Sequence, residues 1–352
     1  MRWEIGEAVQ RILVIRAGAL GDCLLMLPAL TALRAHFARR RIDVMGYPRR
    51  WEWVLGRGLV DAVHTIEHPG MHLLLCEGAE VPEPLKAFLG TYDVILSYRP
   101  DPDGIFESNL RALGARLVLS QPPFPPPPPP TIHVADFALR LVAKLGALPA
   151  PAVPRLRLTA AELALTQRFF RAHHVDPATE QIVVVHPGSG SEAKRWAIAN
   201  FAALIDTLAR HAQVRVVIVA GYAEQGVVSR LLALIHHAQP LVADNWPLLP
   251  TAALIGQATV FVGNDSGLSH LAAALGRPTV AIFGPTDPEI WGPRGAHVTV
   301  VQMDRARTGD DDRASGRASS RNDGGDVGQV VETVQRWLTA AELRRSPGGR
   351  SA

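Results

Sequence analysis

The stretch VFVGNDSGLSHLAAALGRPTVAIFGPTDP, residues 260–288, predicts a complete strand–helix–strand unit. It opens with the apolar run VFV at 260–262, which is typical of a buried parallel strand. A helix follows, because four apolar residues recur at helical spacing: Leu268, Leu271, Ala272 and Leu275. Gly276 and Pro278 end that helix, and the apolar run at 280–283 predicts the next strand. Parallel strands joined by helices indicate an α/β fold.

Polar loops follow both strands of this unit. Asp265 and Ser266 stand where the helix begins, and Gly284–Pro288 forms the second loop. Ligands of open parallel sheets bind at the carboxyl ends of the strands, and the start of a helix favours an anion such as a diphosphate. Alternatively, Asp265 and Ser266 only cap a structural helix, since their residue types are preferred there. The second loop on the same edge of the sheet favours a binding site.

The composition excludes several classes of protein. The formal charge is only +3 and the basic residues are scattered, so nucleic-acid binding is not supported. Two cysteines, Cys23 and Cys76, are too few for a disulfide framework or a zinc site. No apolar run reaches the roughly 18 residues of a transmembrane helix, and the N-terminus lacks a signal peptide's apolar core. We therefore expect a soluble, cytoplasmic protein whose arginine clusters suit acidic partners such as phosphorylated sugars or lipid head groups.

A second strand–loop–helix pattern stands near the N-terminus. The strand Arg11–Ile15 precedes a loop containing Gly18 and Gly21, and the following leucine-rich helix is kinked or begins at Pro28. The glycines read G-x-x-G, so they match neither the dinucleotide fingerprint nor the P-loop. Asp22, at the junction of loop and helix, has two interpretations. It either supports the helix through the helix dipole or acts as a general base that faces a cleft.

The second half of the chain repeats the alternation of strands and helices. The strand at 181–185 leads into the loop HPGSGS, and Lys194 follows it. A lysine after such a loop suits a phosphate, although a solvated surface lysine is the alternative. Glu224 follows the strand at 214–220, where it either accepts hydrogen bonds from ribose or sugar hydroxyls or is an ordinary loop acid.

These patterns divide the chain into four parts. We expect an N-terminal Rossmann-like domain at 1–155 and a C-terminal one at 156–302. The Arg/Asp/Ser/Gly-rich segment 303–326 is predicted to be a disordered loop, and 327–343 a closing amphipathic helix. The proline run at 122–130 is predicted to be an extended, stiff surface loop.

Three motifs together resemble glycosyltransferase family 9, the heptosyltransferase-like enzymes. They are ILVIRAGALGDCLLMLPALTALR at 12–34, VVVHPGSGSEAKRWAIANFAALI at 183–205, and FVGNDSGLSHLAAALGRPTVAIFGPTDPEIWGP at 261–293. The resemblance implies a GT-B architecture, in which two Rossmann-like domains with parallel sheets face each other across a cleft. It further implies that the helix at 327–343 packs back on the N-terminal domain. The proline run and the segment 303–326 depart from the family pattern.

The resemblance also assigns roles to residues. Asp22 matches the proposed catalytic base, and Lys194 matches the lysine that faces the donor phosphates. Residues expected to contact the donor, or to shape the loops that hold it, are Gly18, Gly21, Ser189, Ser191, Glu224, Asp265, Ser266, Gly267, Leu268 and His270. No metal site and no cofactor are expected, because a lysine and a helix start would stabilise the leaving diphosphate.

The implied reaction is inverting transfer of a sugar from a nucleotide-sugar donor to a hydroxyl of a saccharide or glycolipid. Heptose from ADP-heptose and the lipopolysaccharide inner core are the substrates to which the resemblance points, with peripheral contact at the inner membrane. A non-catalytic nucleotide-sugar-binding protein of the same fold is the alternative. An NAD-dependent oxidoreductase is disfavoured by the missing fingerprint.

Overall fold

The computed structural model describes residues 9–126, 132–148, 153–221, 224–303 and 324–345. The chain separates into two compact units, Met1–Pro154 and Arg155–Ala352. Most of the predicted loop 303–326 and the end of the proline run, residues 127–130, lie outside the described ranges. No helix within those ranges combines the length and the apolar character needed to cross a membrane.

The first unit contains a five-stranded parallel sheet with the spatial order β3-β2-β1-β4-β5. Its strands are β1 (Arg11–Ile15), β2 (Arg41–Gly46), β3 (Ala62–Thr65), β4 (Val94–Ser97) and β5 (Leu117–Ser120). The order reverses between β1 and β4, so the loop after β1 leaves the sheet at a topological switch point, where open α/β sheets bind ligands.

Six α-helices of the first unit lie in its described residues. They are α1 (Leu20–Leu24), α2 (Leu27–His36), α3 (Pro48–Trp51), α4 (Glu83–Leu89), α5 (Ile105–Ala112) and α6 (Val134–Ala143). Two short 3₁₀ segments lie at Glu52–Val54 and Met71–Leu75. Pro28 occupies the first turn of α2, so it marks the start of a new helix, one of its two predicted roles, because proline lacks the N–H that a helix interior needs.

The second unit contains a six-stranded parallel sheet with the order β11-β10-β9-β6-β7-β8. Its strands are β6 (Gln181–His186), β7 (Val214–Ala220), β8 (Leu241–Asp244), β9 (Val260–Asn264), β10 (Thr279–Phe283) and β11 (Val298–Gln302). The switch point lies between the central strands β6 and β9, both of which are buried along their whole length. Two parallel sheets with connecting helices confirm the predicted α/β class.

Eight α-helices of the second unit lie in its described residues. They are α7 (Ala160–Leu163), α8 (Gln167–Ala172), α9 (Ile198–Leu208), α10 (Gln225–Leu234), α11 (Leu248–Gly256), α12 (Gly267–Ala274), α13 (Pro288–Trp291) and α14 (Gly324–Arg345). Short 3₁₀ segments occur at Ala164–Thr166 and Glu192–Lys194. The helices α7 and α8 flank the 3₁₀ turn Ala164–Thr166.

The closing helix α14 has its apolar residues Val330, Val334 and Leu338 buried in the core of the second unit. Its packing on the N-terminal domain, which the resemblance implies, stays a prediction. The side chain of Gln181 also donates a hydrogen bond to the carbonyl of Leu338, at 2.8 Å. These three apolar residues stand four apart on one face of the helix, and α14 contacts α9, β9, β10 and β11 of the same unit.

Candidate functional site

Two loops leave the second sheet side by side at its switch point. His186, the last residue of β6, pairs in register with Gly263 of β9. The loop after β6 continues through Ser189, and the chain after β9 continues through Asp265 into α12. The register of two neighbouring parallel strands therefore brings the predicted donor loops together at one edge of the sheet.

Asn264 joins these two loops. Its side-chain amide donates to the carbonyls of Pro187 and Gly188, at 2.9 and 3.2 Å. Its side-chain oxygen accepts a hydrogen bond from the backbone N–H of Trp196, at 2.9 Å. The Asn264 side chain is fully buried, and its three hydrogen-bond partners fix the loop conformation.

Asp265 is the centre of a polar cluster in which it binds Lys194 and Thr286. Its Oδ2 atom lies 2.7 Å from the Lys194 ammonium and accepts a hydrogen bond from the Thr286 hydroxyl at 2.6 Å. The Ser189 hydroxyl donates to the backbone carbonyl of Asp265 at 2.8 Å. The Asp265 side chain is 7% exposed and that of Lys194 is 31% exposed. The ion pair thus holds the Lys194 ammonium in place, while the exposed part of this side chain remains open to a ligand.

The start of α12 presents uncapped backbone donors. Ser266 has the extended conformation of an N-cap residue, but its side chain makes no capping hydrogen bond. Its hydroxyl is buried and has no partner within the described residues, while the Asp265 side chain is bound to Lys194. The alternative in which Asp265 and Ser266 only cap the helix is therefore wrong. The first N–H groups of α12, at Gly267 and Leu268, have no acceptor within the helix and favour an anion.

His186 and Glu224 line the next part of the same edge. The His186 ring is buried, and its Nδ1 lies 2.9 Å from the Val219 carbonyl, so Nδ1 carries the proton that is donated. Burial is the largest influence and lowers the pKa of His186, against the opposing effects of that hydrogen bond and of Glu224. The Glu224 carboxylate accepts the N–H of Gly221 and packs on Gly188, where an added Cβ would lie 2.3 Å from its side chain. A larger residue at position 188 would therefore require the Glu224 side chain to move.

We expect the buried His186 to make the second unit less stable in mild acid. Its folded pKa is below the unfolded value of about 6.5, so the unfolded chain binds more protons between the two values. The stabilisation is complete above about pH 6.5 and is lost as the pH falls through the folded pKa. Urea unfolding from about pH 7.5 to 5 should show a shallower loss of unfolding free energy in His186→Gln than in the wild type. The exposed His211→Gln control should keep the wild-type slope, and a His186→Gln protein with that same slope would refute the assignment.

The loop after β1 in the first unit surrounds Asp22. Its Oδ2 atom accepts the N–H of Ala19 at 2.7 Å, and its Oδ1 atom lies 3.7 Å from the guanidinium of Arg16. A Cβ at Gly18 would lie 2.7 Å from the Asp22 carboxylate, which explains the glycine. Asp22 therefore does support the start of α1, as one interpretation held. Its side chain is 19% exposed, so the carboxylate also reaches solvent.

Arg16, the ion-pair partner of Asp22, is held in place by two further residues. It is only 3% exposed, its backbone carbonyl accepts the indole N–H of Trp51, and its guanidinium lies 4.9 Å from the centre of the Phe124 ring. Burial lowers the pKa of Arg16 and Asp22 opposes that effect, but arginine stays charged at neutral pH. Burial raises the pKa of the adjacent Cys23 to about 12, so this thiol is not a nucleophile.

Three other predicted site residues differ in how far they are exposed. Gly21 is buried within α1 and His270 is buried in α12, whereas Ser191 is exposed at the start of a 3₁₀ turn. Sequence reasoning did not single out Asn264, Arg16, Phe124 or Thr286. Their signal is weak, because each acts through a partner that is distant in the chain. Among the described residues, no group of three or more His, Cys, Asp or Glu side chains is arranged to hold a metal ion.

Comparison with known proteins connects this geometry to a family. Residues 127–316, more than half of the chain, match the family described as glycosyltransferase family 9 (heptosyltransferase). Lipopolysaccharide heptosyltransferase 2 of Salmonella typhimurium is 29% identical over 317 residues, which cover 83% of this chain and 88% of that protein.

Two solved structures share the fold. The glycosyl transferase family 9 protein of Veillonella parvula has a TM-score of 0.76 and 21% identity, over 94% of this chain and 97% of that one. The E. coli ADP-heptose lps heptosyltransferase II has a TM-score of 0.70 and 20% identity, over 95% and 100%. These matches confirm the predicted GT-B fold class, and the family match identifies the protein as an enzyme. The chain belongs to glycosyltransferase family 9, the heptosyltransferase family.

Proposed function

We propose that the protein is an inverting glycosyltransferase that moves heptose from ADP-heptose to a hydroxyl of a saccharide or glycolipid acceptor, such as the lipopolysaccharide inner core. The observation that carries the proposal is the Lys194–Asp265–Thr286 cluster beside the uncapped start of α12. The names of the Salmonella and E. coli relatives support this donor and acceptor. We further propose that the enzyme works at the cytoplasmic side of the inner membrane, in peripheral contact with it.

The second unit would hold the donor. A diphosphate at the start of α12 would accept hydrogen bonds from the N–H groups of Gly267 and Leu268 and would face the ammonium of Lys194. These donors are fixed before the substrate arrives, because Asn264 and Asp265 hold both loops in place. Preorganised donors at the site of developing charge typically contribute about 3–4 kcal/mol each to catalysis. Glu224, one strand further along the edge, suits the ribose hydroxyls.

The first unit would supply the base. Asp22 would take the proton of the acceptor hydroxyl while the oxygen attacks the anomeric carbon from the face opposite the nucleotide. The bond to the diphosphate breaks, ADP leaves with the electron pair, and the configuration at the anomeric carbon inverts. The ion pair with Arg16 holds the carboxylate in place before the proton moves. In this proposal no metal is required, because Lys194 and α12 meet the charge of the leaving group.

A transfer assay tests the function directly. The full chain is incubated with ADP-heptose and a heptose-free inner-core acceptor, and both the release of ADP and the anomeric configuration of the product are measured. UDP-glucose replaces the donor as the matched control. We expect product of inverted configuration with ADP-heptose only. Retained configuration, or equal transfer from UDP-glucose, would contradict the proposed mechanism or the proposed donor.

Thr286 should contribute to donor binding through Asp265. The change Thr286→Val removes the 2.6 Å hydrogen bond that orients the carboxylate, so Lys194 is held less firmly. We expect the Kd for ADP to rise about threefold to fivefold, which corresponds to roughly 1 kcal/mol. Thr286→Ser keeps the hydroxyl and should restore binding, as measured by calorimetric titration. If the serine variant binds ADP as weakly as the valine variant, the threonine methyl group and not the hydrogen bond is responsible.

A further inference from the structure

A cavity of about 460 Å³ lies at the edge of the second sheet opposite the candidate donor site. Its lining includes Thr259, which directly precedes β9, and Pro278, which directly precedes β10, together with Arg277 and Arg344. Since β9 is five residues long, the strand places the cavity about 16 Å from the loops that carry Asp265 and Ser266. The cavity is therefore separate from the site assigned to the donor.

Arg277 lies in this cavity without an acidic partner. The side chain is half-buried, and its Nε atom is buried without a hydrogen-bond partner. No ion pair or hydrogen bond of its guanidinium is formed within the described residues. Burial lowers the pKa of Arg277 and no neighbouring acid opposes that effect. Arginine remains charged regardless, so a positive charge is partly removed from water without compensation, which is unfavourable.

Arg344 adds a second positive charge to the same cavity. It is exposed and stands in the last turn of α14, a position that the helix dipole alone would explain. Arg277 has no such explanation, because its guanidinium does not bind the carbonyls at the end of α12. The uncompensated charge of Arg277 is therefore the main indication of an anion site. Arg344 makes the cavity more favourable for a multiply charged anion.

We propose that this cavity binds the phosphate group of an anionic ligand through Arg277 and Arg344. Guanidinium groups present paired N–H donors that match the oxygens of a phosphate, and they do so better than lysine. The volume falls in the range of about 300–1,000 Å³ that is usual for small-molecule sites, so an organic group attached to the phosphate fits as well. Two sources have this chemistry, a soluble phosphorylated metabolite and the head group of an anionic phospholipid.

Titration of the full-length protein with inorganic phosphate tests the site. Arg277→Gln should weaken the cavity's phosphate affinity by about tenfold or more, since it removes a charged donor. Arg230→Gln, an exposed arginine of α10, is the matched control and should bind as the wild type does. Lys194 is unaltered in all of these proteins, so phosphate binding at α12 cancels from the comparison. Arg344→Gln repeats the test at an exposed position, in case Arg277→Gln fails to fold.

Flotation with vesicles distinguishes the two sources. Vesicles of phosphatidylglycerol and phosphatidylcholine are compared with vesicles of phosphatidylcholine alone. Binding to the anionic vesicles that Arg277→Gln abolishes identifies a lipid head group, whereas phosphate binding that depends on Arg277 without vesicle binding identifies a soluble ligand. Equal phosphate affinity in the wild type, Arg277→Gln and Arg344→Gln overturns the proposal.

Discussion

Asp22→Asn is expected to lower kcat by about a hundredfold or more while leaving the Kd for ADP unchanged. The asparagine oxygen can still accept the N–H of Ala19, so the loop after β1 keeps the hydrogen bond that the structure shows at 2.7 Å. What is lost is the ability to take a proton from the acceptor hydroxyl. Turnover is measured with ADP-heptose and acceptor, and ADP binding is measured by calorimetric titration. This separation is expected because the residues proposed to bind ADP belong to the second unit.

A second aspartate of the first unit provides the control for that variant. Asp93 accepts the backbone N–H groups of Gln10 and Arg11, at 2.8 and 3.0 Å, so its structural role resembles that of Asp22. Asp93→Asn should change stability to a similar small extent and leave kcat near the wild-type value. Turnover of Asp22→Asn within a factor of about three of the wild type would exclude Asp22 as the base. Asp22→Asn must also be shown to unfold normally, because it removes the ion pair of the buried Arg16.

The α/β class and both strand–loop–helix sites follow from local patterns in the sequence. Apolar runs, glycine-rich loops and helical spacing are properties of short stretches, and they placed β1, β6, β7 and β9 to within about two residues. The strand β11, VTVVQ at 298–302, was missed, because it follows a segment that gives no helical pattern. The proximity of the loops after β9 and β10 was expected from the rule for parallel sheets, and the pairing of β9 with β10 and the hydrogen bond from Thr286 to Asp265 confirm it.

The contacts inside each site could not be predicted from the sequence. Asp265 binds Lys194, which is 71 positions earlier, and Thr286, which is 21 positions later. Phe124 contacts Arg16 although 108 positions separate them. No local pattern contains such pairs, since they depend on how the loops close in space. For the same reason, the packing of α14 on the core of the second unit could not be predicted. The apolar stripe of this helix indicates that it has a packing partner but does not identify that partner.

Lys194→Ala is expected to weaken ADP binding by about tenfold to a hundredfold and to lower kcat as well. The ammonium would contribute a charge-assisted hydrogen bond of roughly 1.5–3 kcal/mol to the diphosphate, and more as negative charge grows on the leaving group. The variant also leaves Asp265, only 7% exposed, without its cation. An unpaired carboxylate beside the start of α12 would then repel the diphosphate. Exposed Lys144→Ala is the control, and it should bind ADP normally.

The double variant Lys194→Ala/Asp265→Asn separates these two effects. If Lys194 contacts the diphosphate and Asp265 only positions it, neutralising Asp265 removes the repulsion, so the double variant should bind ADP more tightly than Lys194→Ala alone. Asp265→Asn alone should weaken binding modestly, because the lysine is no longer held by the 2.7 Å ion pair. A double-mutant cycle measures this coupling directly. If Lys194 were only the structural partner of Asp265, the single and double variants would differ in unfolding free energy and bind ADP equally well, and the donor-site assignment would fail.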